Sequence, residues 1–150
     1  MKIYLATDHA GFELKEKIKS FLLANNYEAE DFGAFSYDTG DDYPDFVHKA
    51  AVAVGENPEE SRAIVLGGSG QGEAMVANRY KNVRAAVFYG GPEDIIKLSR
   101  EHNDANVLSL GARFVTEENA LRAVRLWLET SFSKEERHQR RINKIDSLEE

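Results

Sequence analysis

Ile64-Val65-Leu66-Gly67-Gly68-Ser69-Gly70-Gln71-Gly72-Glu73-Ala74 decides how this chain is read. A short apolar run ends in a glycine-rich turn, and a carboxylate follows at once. That is the pattern of a buried strand passing into a helix. Glycine has no Cβ, so such a loop can bring its backbone close to a ligand. Its N–H groups, at the start of a helix, suit an anion or a developing oxyanion. Glu73 behind them is a candidate base. The plainer reading of the same residues is a tight strand-to-helix turn. The loop is not a P-loop, because no Lys-Ser/Thr pair follows it. Nor is it the dinucleotide fingerprint, because Gly68, Gly70 and Gly72 have the wrong spacing and lie on the third strand.

Working outward, the periodicity predicts strands over 3–7, 27–32, 63–66, 83–89 and 107–110. Helices are predicted over 11–25, 44–55, 73–80 and 92–102. Two more close the chain. Thr116 caps the first, with Leu121, Val124, Leu126 and Leu128 among its apolar residues, and Ser133-Lys134-Glu135-Glu136 forms a capping box for the second. Strands alternating with helices imply a parallel sheet covered on both faces. The expected fold is therefore α/β: a Rossmann-like, doubly wound three-layer sandwich with five parallel strands and a C-terminal helical extension, in one domain over residues 1–150. In such folds the ligand lies beyond the C-terminal ends of the strands. That rule gathers Asp8-His9, the glycine loop, Tyr89-Gly90-Gly91 and Gly111-Ala112-Arg113 into one place.

The bulk composition narrows the partners. The net charge is −7, which argues against nucleic acid and against an anionic membrane surface. With no cysteine, there is no disulfide framework and no thiol chemistry. The apolar run at Ile3–Ala6 is too short for a signal peptide or a membrane span, so the expectation is a cytoplasmic protein.

Each remaining candidate has two readings. Asp8 is a favoured helix N-cap, or a site carboxylate. His102, with Asn103 and Asp104, either interacts with a helix dipole or acts as a general acid and base. Arg137, Arg140 and Arg141 share a helical face beside His138; they form a phosphate patch or salt bridges to Glu135 and Glu136. The run Asp38, Asp41, Asp42 and Tyr43 suits a solvated loop, and no further ligand at metal spacing supports a metal site.

Several ordered motifs then fix a resemblance that runs nearly end to end. They are Asp8-His9-Ala10-Gly11, Asp42-Tyr43-Pro44, the loop Gly68–Gly72, Ala77-Asn78-Arg79, Ser99 through Asn106, and Arg137-His138-Gln139-Arg140-Arg141. The chain resembles the sugar-phosphate isomerases of the ribose-5-phosphate isomerase B and galactose-6-phosphate isomerase family. Many members carry a base cysteine where this chain has Gly67. A second group lacks it and has Glu after the loop, and this sequence matches that group at Gly67, Gly68, Ser69, Gly70, Gly72 and Glu73.

The resemblance implies interconversion of ribose 5-phosphate and ribulose 5-phosphate in the non-oxidative branch of the pentose phosphate pathway. It implies metal-free and cofactor-free proton transfer through an enediolate. Glu73 becomes the base, with Ser69 close to the moving proton. His102 and Asp8 open the sugar ring, and Asn103 and Tyr43 contact the sugar. The backbone at Gly68, Gly70, Gln71 and Gly72 holds the enediolate, while His9, Arg113, Arg137 and Arg141, with His138 alongside, take the phosphate. It also implies a homodimer with sites shared across the interface, or a tetramer. Two alternatives stand beside this reading: an isomerase of six-carbon phosphates such as allose 6-phosphate or galactose 6-phosphate, and a non-catalytic sugar-phosphate-binding protein.

Overall fold

A computed structural model describes residues 1–149 of the chain. Five parallel strands, β1 (Lys2–Thr7), β2 (Glu28–Asp31), β3 (Ser61–Gly67), β4 (Ala85–Phe88) and β5 (Val107–Gly111), lie in the order β2-β1-β3-β5-β4. Six α-helices accompany them: α1 (Phe12–Ala24), α2 (Pro44–Glu56), α3 (Gln71–Ala77), α4 (Asp94–Glu101), α5 (Glu117–Glu129) and α6 (Glu136–Asp146).

Successive strand side chains point to opposite faces, and this divides the core in two. Ile3, Leu5, Ile64, Leu66, Leu108 and Leu110 pack with Ile18 and Leu22 of α1, Ile96 of α4, and Val124 and Trp127 of α5. Tyr4, Ala6, Ala63, Val65 and Val107 pack with Val47, Ala50, Ala51 and Val54 of α2 and Ala77 of α3. The three-layer doubly wound expectation is met. From β1 the chain steps outward to β2, then returns to the other side of β1 as β3. That reversal, between β1 and β3, is where an open α/β sheet leaves a crevice at its strand ends.

The structure moves several predicted boundaries. The glycine-loop helix starts at Gln71, two residues before the predicted Glu73, because Gly70 takes a left-handed conformation (φ 78°) and ends the turn there. Strand β4 is shorter than predicted, 85–88 rather than 83–89. The capping box at Ser133 does not form. Helix α6 begins at Glu136 with Glu135 as its N-cap, and the Ser133 hydroxyl instead accepts the Glu135 N–H at 3.4 Å. In α5, Thr116 caps as expected, accepting the Asn119 N–H at 3.1 Å. Its core face, however, is Ala120, Ala123, Val124, Trp127 and Leu128, with Leu121 and Leu126 only partly buried.

A buried lysine pins the β2 edge. Lys15 of α1 is fully buried and donates to Asp31 Oδ2 at 2.6 Å and to the Ala34 carbonyl at 2.8 Å. Lys19 reaches the same Asp31 oxygen at 3.0 Å, and Asp31 Oδ1 accepts the Gly33 N–H at 2.9 Å. Burial pushes the Asp31 carboxyl up, but the two lysines and the Gly33 N–H outweigh it and hold the group below its ordinary value. The clamp fixes where the chain leaves the sheet for the polar loop that carries Asp41 and Tyr43.

Candidate active site

At the C-terminal ends of β1, β3 and β5 lies a cavity of about 520 Å³. Strand β1 delivers Asp8 and His9, the loop after β3 delivers Gly68, Ser69, Gly72 and Glu73, and the turn after β5 delivers Arg113 and Phe114. Tyr43, at the start of α2, closes the wall. Of the residues singled out in the sequence, eight meet here: Asp8, His9, Tyr43, Gly68, Ser69, Gly72, Glu73 and Arg113.

Glu73 sits in the first turn of α3 and is 3 % exposed. Burial raises its carboxyl above the ordinary value, its own backbone N–H pulls it back, and the Asp8 charge pushes it up again. Desolvation therefore wins over hydrogen bonding, a balance that composition and spacing leave open. No lysine or arginine pairs with Glu73 among the described residues. Its carboxylate fills the space beside Gly67, where any Cβ would overlap both oxygens. Gly67 is thus glycine because Glu73 occupies the volume that a side chain at 67 would need. The matched pair in the sequence is one steric fact.

The loop itself is held from below. Ser109 donates its hydroxyl to the Gly70 carbonyl at 2.6 Å, and Ala112 and Arg113 N–H groups donate to the carbonyls of Gly67 and Gly68 at 2.8 and 3.1 Å. The carbonyls of Gly67, Gly68 and Gly70 are thus engaged, whereas several of the loop N–H groups are not. Those of Ser69, Gly70 and Gly72 have no protein acceptor among the described residues. Gly72 has no room for a side chain, because the Tyr43 hydroxyl lies where its Cβ would stand. Gln71 opens α3 and is exposed, away from the cavity wall.

Asp8 is both a cap and a cavity residue. Its Oδ1 caps the 3-10 turn His9–Gly11 by accepting the Ala10 N–H at 2.9 Å, while the residue still lines the cavity. His9 has a partner the sequence reading did not assign. Asp41 Oδ1 lies 2.7 Å from His9 Nδ1 and also accepts the His9 N–H at 3.0 Å. An imidazole fixed this way keeps Nδ1 toward the carboxylate and leaves Nε2 for a ligand. The ligand-capable atoms of Asp8, His9 and Asp41 lie within 4.8 Å of one another, a grouping these hydrogen bonds account for. Nothing in the acidic run distinguishes Asp41 from Asp38 or Asp42; only the path of the loop does.

The other predicted residues gather elsewhere. His102 is the C-cap of α4, so it stands where the chain returns to the N-terminal end of β5. The ring of His138, from α6, stacks on it with centroids 4.1 Å apart and planes at 14°. His138 is buried; burial, the His102 ring and Arg137 hold it below the ordinary histidine value, and its Nε2 has no hydrogen-bond partner. Asn103 follows His102 and is exposed. Arg137 and Arg141 are exposed, and Arg137 pairs with Glu135 at 2.9 Å. One chain therefore assembles Glu73, the loop donors, His9 and Arg113 at one end of its sheet. It carries His102, Asn103, His138 and the two arginines at the other.

A parallel α/β sheet with a glycine loop of free N–H groups at its switch point, and a buried carboxylate without a cationic partner just behind that loop, is the architecture of an α/β protein with a small-molecule crevice at its strand ends. The chain belongs to the Ribose/Galactose Isomerase family, whose sequence profile matches residues 3–145. It is 43 % identical over 149 residues to ribose-5-phosphate isomerase B of Mycolicibacterium paratuberculosis, spanning 99 % of this chain and 92 % of the relative. Its fold is similar to that of ribose-5-phosphate isomerase B from Mycoplasma genitalium, solved with bound ribulose-5-phosphate: TM-score 0.94, 38 % identity, 99 % of this chain and 95 % of that one. The Thermotoga maritima enzyme superposes with TM-score 0.89 at 42 % identity, covering 97 % of each chain. No helix among the described residues is long and apolar enough to cross a membrane.

Proposed function

We propose that this protein is an aldose–ketose isomerase that interconverts ribose 5-phosphate and ribulose 5-phosphate, a step of the non-oxidative pentose phosphate pathway. The observation that carries the reading is Glu73: a buried carboxylate, raised by desolvation, without a cationic partner, beside a row of uncommitted loop N–H groups. The likeness to a relative solved with ribulose-5-phosphate supports the same substrate pair.

In the open-chain aldose, the Glu73 carboxylate takes the proton from C2. The electron pair moves into an enediolate, and the loop N–H groups take the developing charge on its oxygens. Each such donor contributes about 3–4 kcal/mol at comparable sites. The proton returns from Glu73 to C1, and one hydroxyl proton passes from O2 to O1, with the Ser69 hydroxyl nearby. A raised carboxyl suits this work, because a base functions best when its pKa approaches the working pH. Arg113 and His9 receive the phosphate from this chain.

The remaining roles fall to a second copy. His102 with Asp8 opens the furanose ring, Asn103 contacts the sugar, and Arg137 and Arg141 complete the phosphate site, with the partner's helix bringing them in. The position of these residues at the far end of the sheet supports a homodimer with shared sites. A cytoplasmic location fits such an enzyme.

A kcat/KM panel over five- and six-carbon sugar phosphates tests the substrate. The expected result is ribose 5-phosphate preferred over allose 6-phosphate and galactose 6-phosphate; turnover of none of them supports a binding protein. Arg137→Ala and Arg141→Ala should raise KM for the phosphorylated sugar, and an unchanged KM would make the last helix structural.

A further inference from the structure

At the N-terminal ends of the strands, away from the glycine loop, a second cavity of about 320 Å³ lies among Arg62, Arg100, Lys134, Glu59, Asp104 and Asn106. Arg62 stands near the start of β3, and Arg100 lies in the last turn of α4. Both guanidinium carbons stand over the ring of Trp127, 5.3 and 6.0 Å from its centroid. Trp127 is fully buried and is the only tryptophan in the chain.

The two arginines differ in how they are satisfied. Arg100 is committed: Nη1 binds Asp104 at 2.8 Å and the Ala105 carbonyl at 2.6 Å, and Nε donates to the Thr130 carbonyl at 3.2 Å. Arg62 uses only Nη1, on the carbonyls of Trp127 and Leu128 at 3.2 Å each. Among the described residues it makes no ion pair, and its Nε and Nη2 have no acceptor. Burial, then the Arg100 charge, brings its pKa down to about 10. A half-buried cation with no ion-pair partner and two free donor nitrogens gains from an anion that joins it. Asp104 offsets part of the Arg62 charge from a distance but makes no ion pair with it, its carboxylate being engaged by Arg100 and by Arg84 at 3.2 Å. Lys134, exposed on the segment between α5 and α6, adds a third positive charge to the wall.

We propose that this cavity is a second anion site, in which the free edge of Arg62, backed by Arg100 and Lys134, takes a phosphate group, either free or as a small monoester. The planar fork of a guanidinium presents two parallel donors that match phosphate oxygens. The three cations of the wall outnumber its two carboxylates, so its net positive charge attracts a dianion more strongly than a monoanion. The bound anion would tie the α5–α6 segment to β3, and so set where α6 stands. The site shares no lining residue with the Glu73 cavity.

Trp127 provides the readout. Its indole N–H resonance is followed in the full chain as inorganic phosphate or glycerol 2-phosphate is added. The expected result is a saturable shift with inorganic phosphate; a shift with the monoester as well would identify small phosphorylated metabolites as ligands. Glu59→Gln should tighten binding about threefold, and Lys134→Ala should weaken it by a similar factor, as befits partly exposed charges. Arg62→Gln should abolish the shift while the far-ultraviolet spectrum stays native. If Arg62→Gln does not fold, the opposed effects of the other two variants decide. A Trp127 resonance that does not move, or moves equally in wild type, Glu59→Gln and Lys134→Ala, would reduce Arg62 to a cap on the C-terminus of α5 and overturn the proposal.

Discussion

Two buried carboxylates, Asp31 and Glu73, lie at the ends of neighbouring stretches of this fold and behave in opposite ways. Asp31 closes β2, receives two lysines and a backbone N–H, and is held below its ordinary value. Glu73 stands in the first turn of α3, receives no cation, and is held above its own. Burial pushes both upward, so the difference comes from partners alone. A carboxylate that folding satisfies becomes a fastener; one left unsatisfied stays available to take a proton. The Lys15 clamp and the glycine loop show that a single chain makes both kinds within one sheet edge and one strand end.

Substitutions can break this contrast in order of expected effect. Short of removing the Glu73 carboxylate itself, the largest should come from Gly67→Ala. The new methyl group overlaps the Glu73 carboxylate, and a base displaced by about 1 Å loses on the order of a hundredfold in rate. Steady-state kcat, with a circular dichroism spectrum to show native folding, checks this. An unchanged kcat would mean that the carboxylate position is not what matters.

Lys15→Met attacks the other member. It leaves Asp31 with Lys19 alone and should lower stability by about 3 kcal/mol, the lower end for a broken buried ion pair. Urea unfolding reads the loss directly. Because the clamp sets the exit of the loop carrying Asp41 and Tyr43, KM should also rise more than kcat falls.

The smallest effects are in the pH dependence of stability, and their signs differ. Asp31 has a lowered pKa, so its contribution is present above the unfolded value of about 3.9 and is lost as pH falls through its folded value. Glu73 has a raised pKa, so the folded state is favoured below the unfolded value of about 4.3 and loses that advantage as pH rises through the folded value. Asp31→Asn should therefore be less stable than wild type at neutral pH, and Glu73→Gln more stable, with both differences shrinking in acid. Melting temperatures across pH 3–8 would show it, and differences of the same sign would collapse the comparison.

Much of this was legible in the residues. The strand-helix alternation gave the layers, because each strand and helix carries its own apolar period: Ile64 and Leu66 face one side, Val65 the other. The glycine loop was legible because its glycines are required by packing, Gly67 against Glu73 and Gly72 against Tyr43. The Asp41–His9 pair was not, since it depends on the course of a loop that has no periodic signal. Lys15 was not either: it stands at a helical position between Leu14 and Ile18, and nothing local announces that its ammonium will find Asp31. The capping box at Ser133 misled because hydrogen-bonding residues in the right order do not fix where a helix begins. The segment leading into α6 is tied to the body instead by the Ser133 N–H, which donates to the Glu101 carbonyl at 3.1 Å. The placement of His102 and the C-terminal arginines at the far end of the sheet from Glu73 was beyond the sequence as well, because it depends on where α4 and α6 pack.

The central claim is that the unpaired carboxylate moves the proton. Incubating ribose 5-phosphate with the protein in deuterium oxide, and following carbon-bound deuterium at C1 and C2 by NMR, tests it most directly. Wild type should introduce label at these carbons as the sugars equilibrate. Glu73→Gln, folded and still binding the sugar phosphate, should exchange about 10²–10⁴-fold more slowly, the span attributed to a positioned base. Exchange in Glu73→Gln at the wild-type rate would contradict the account.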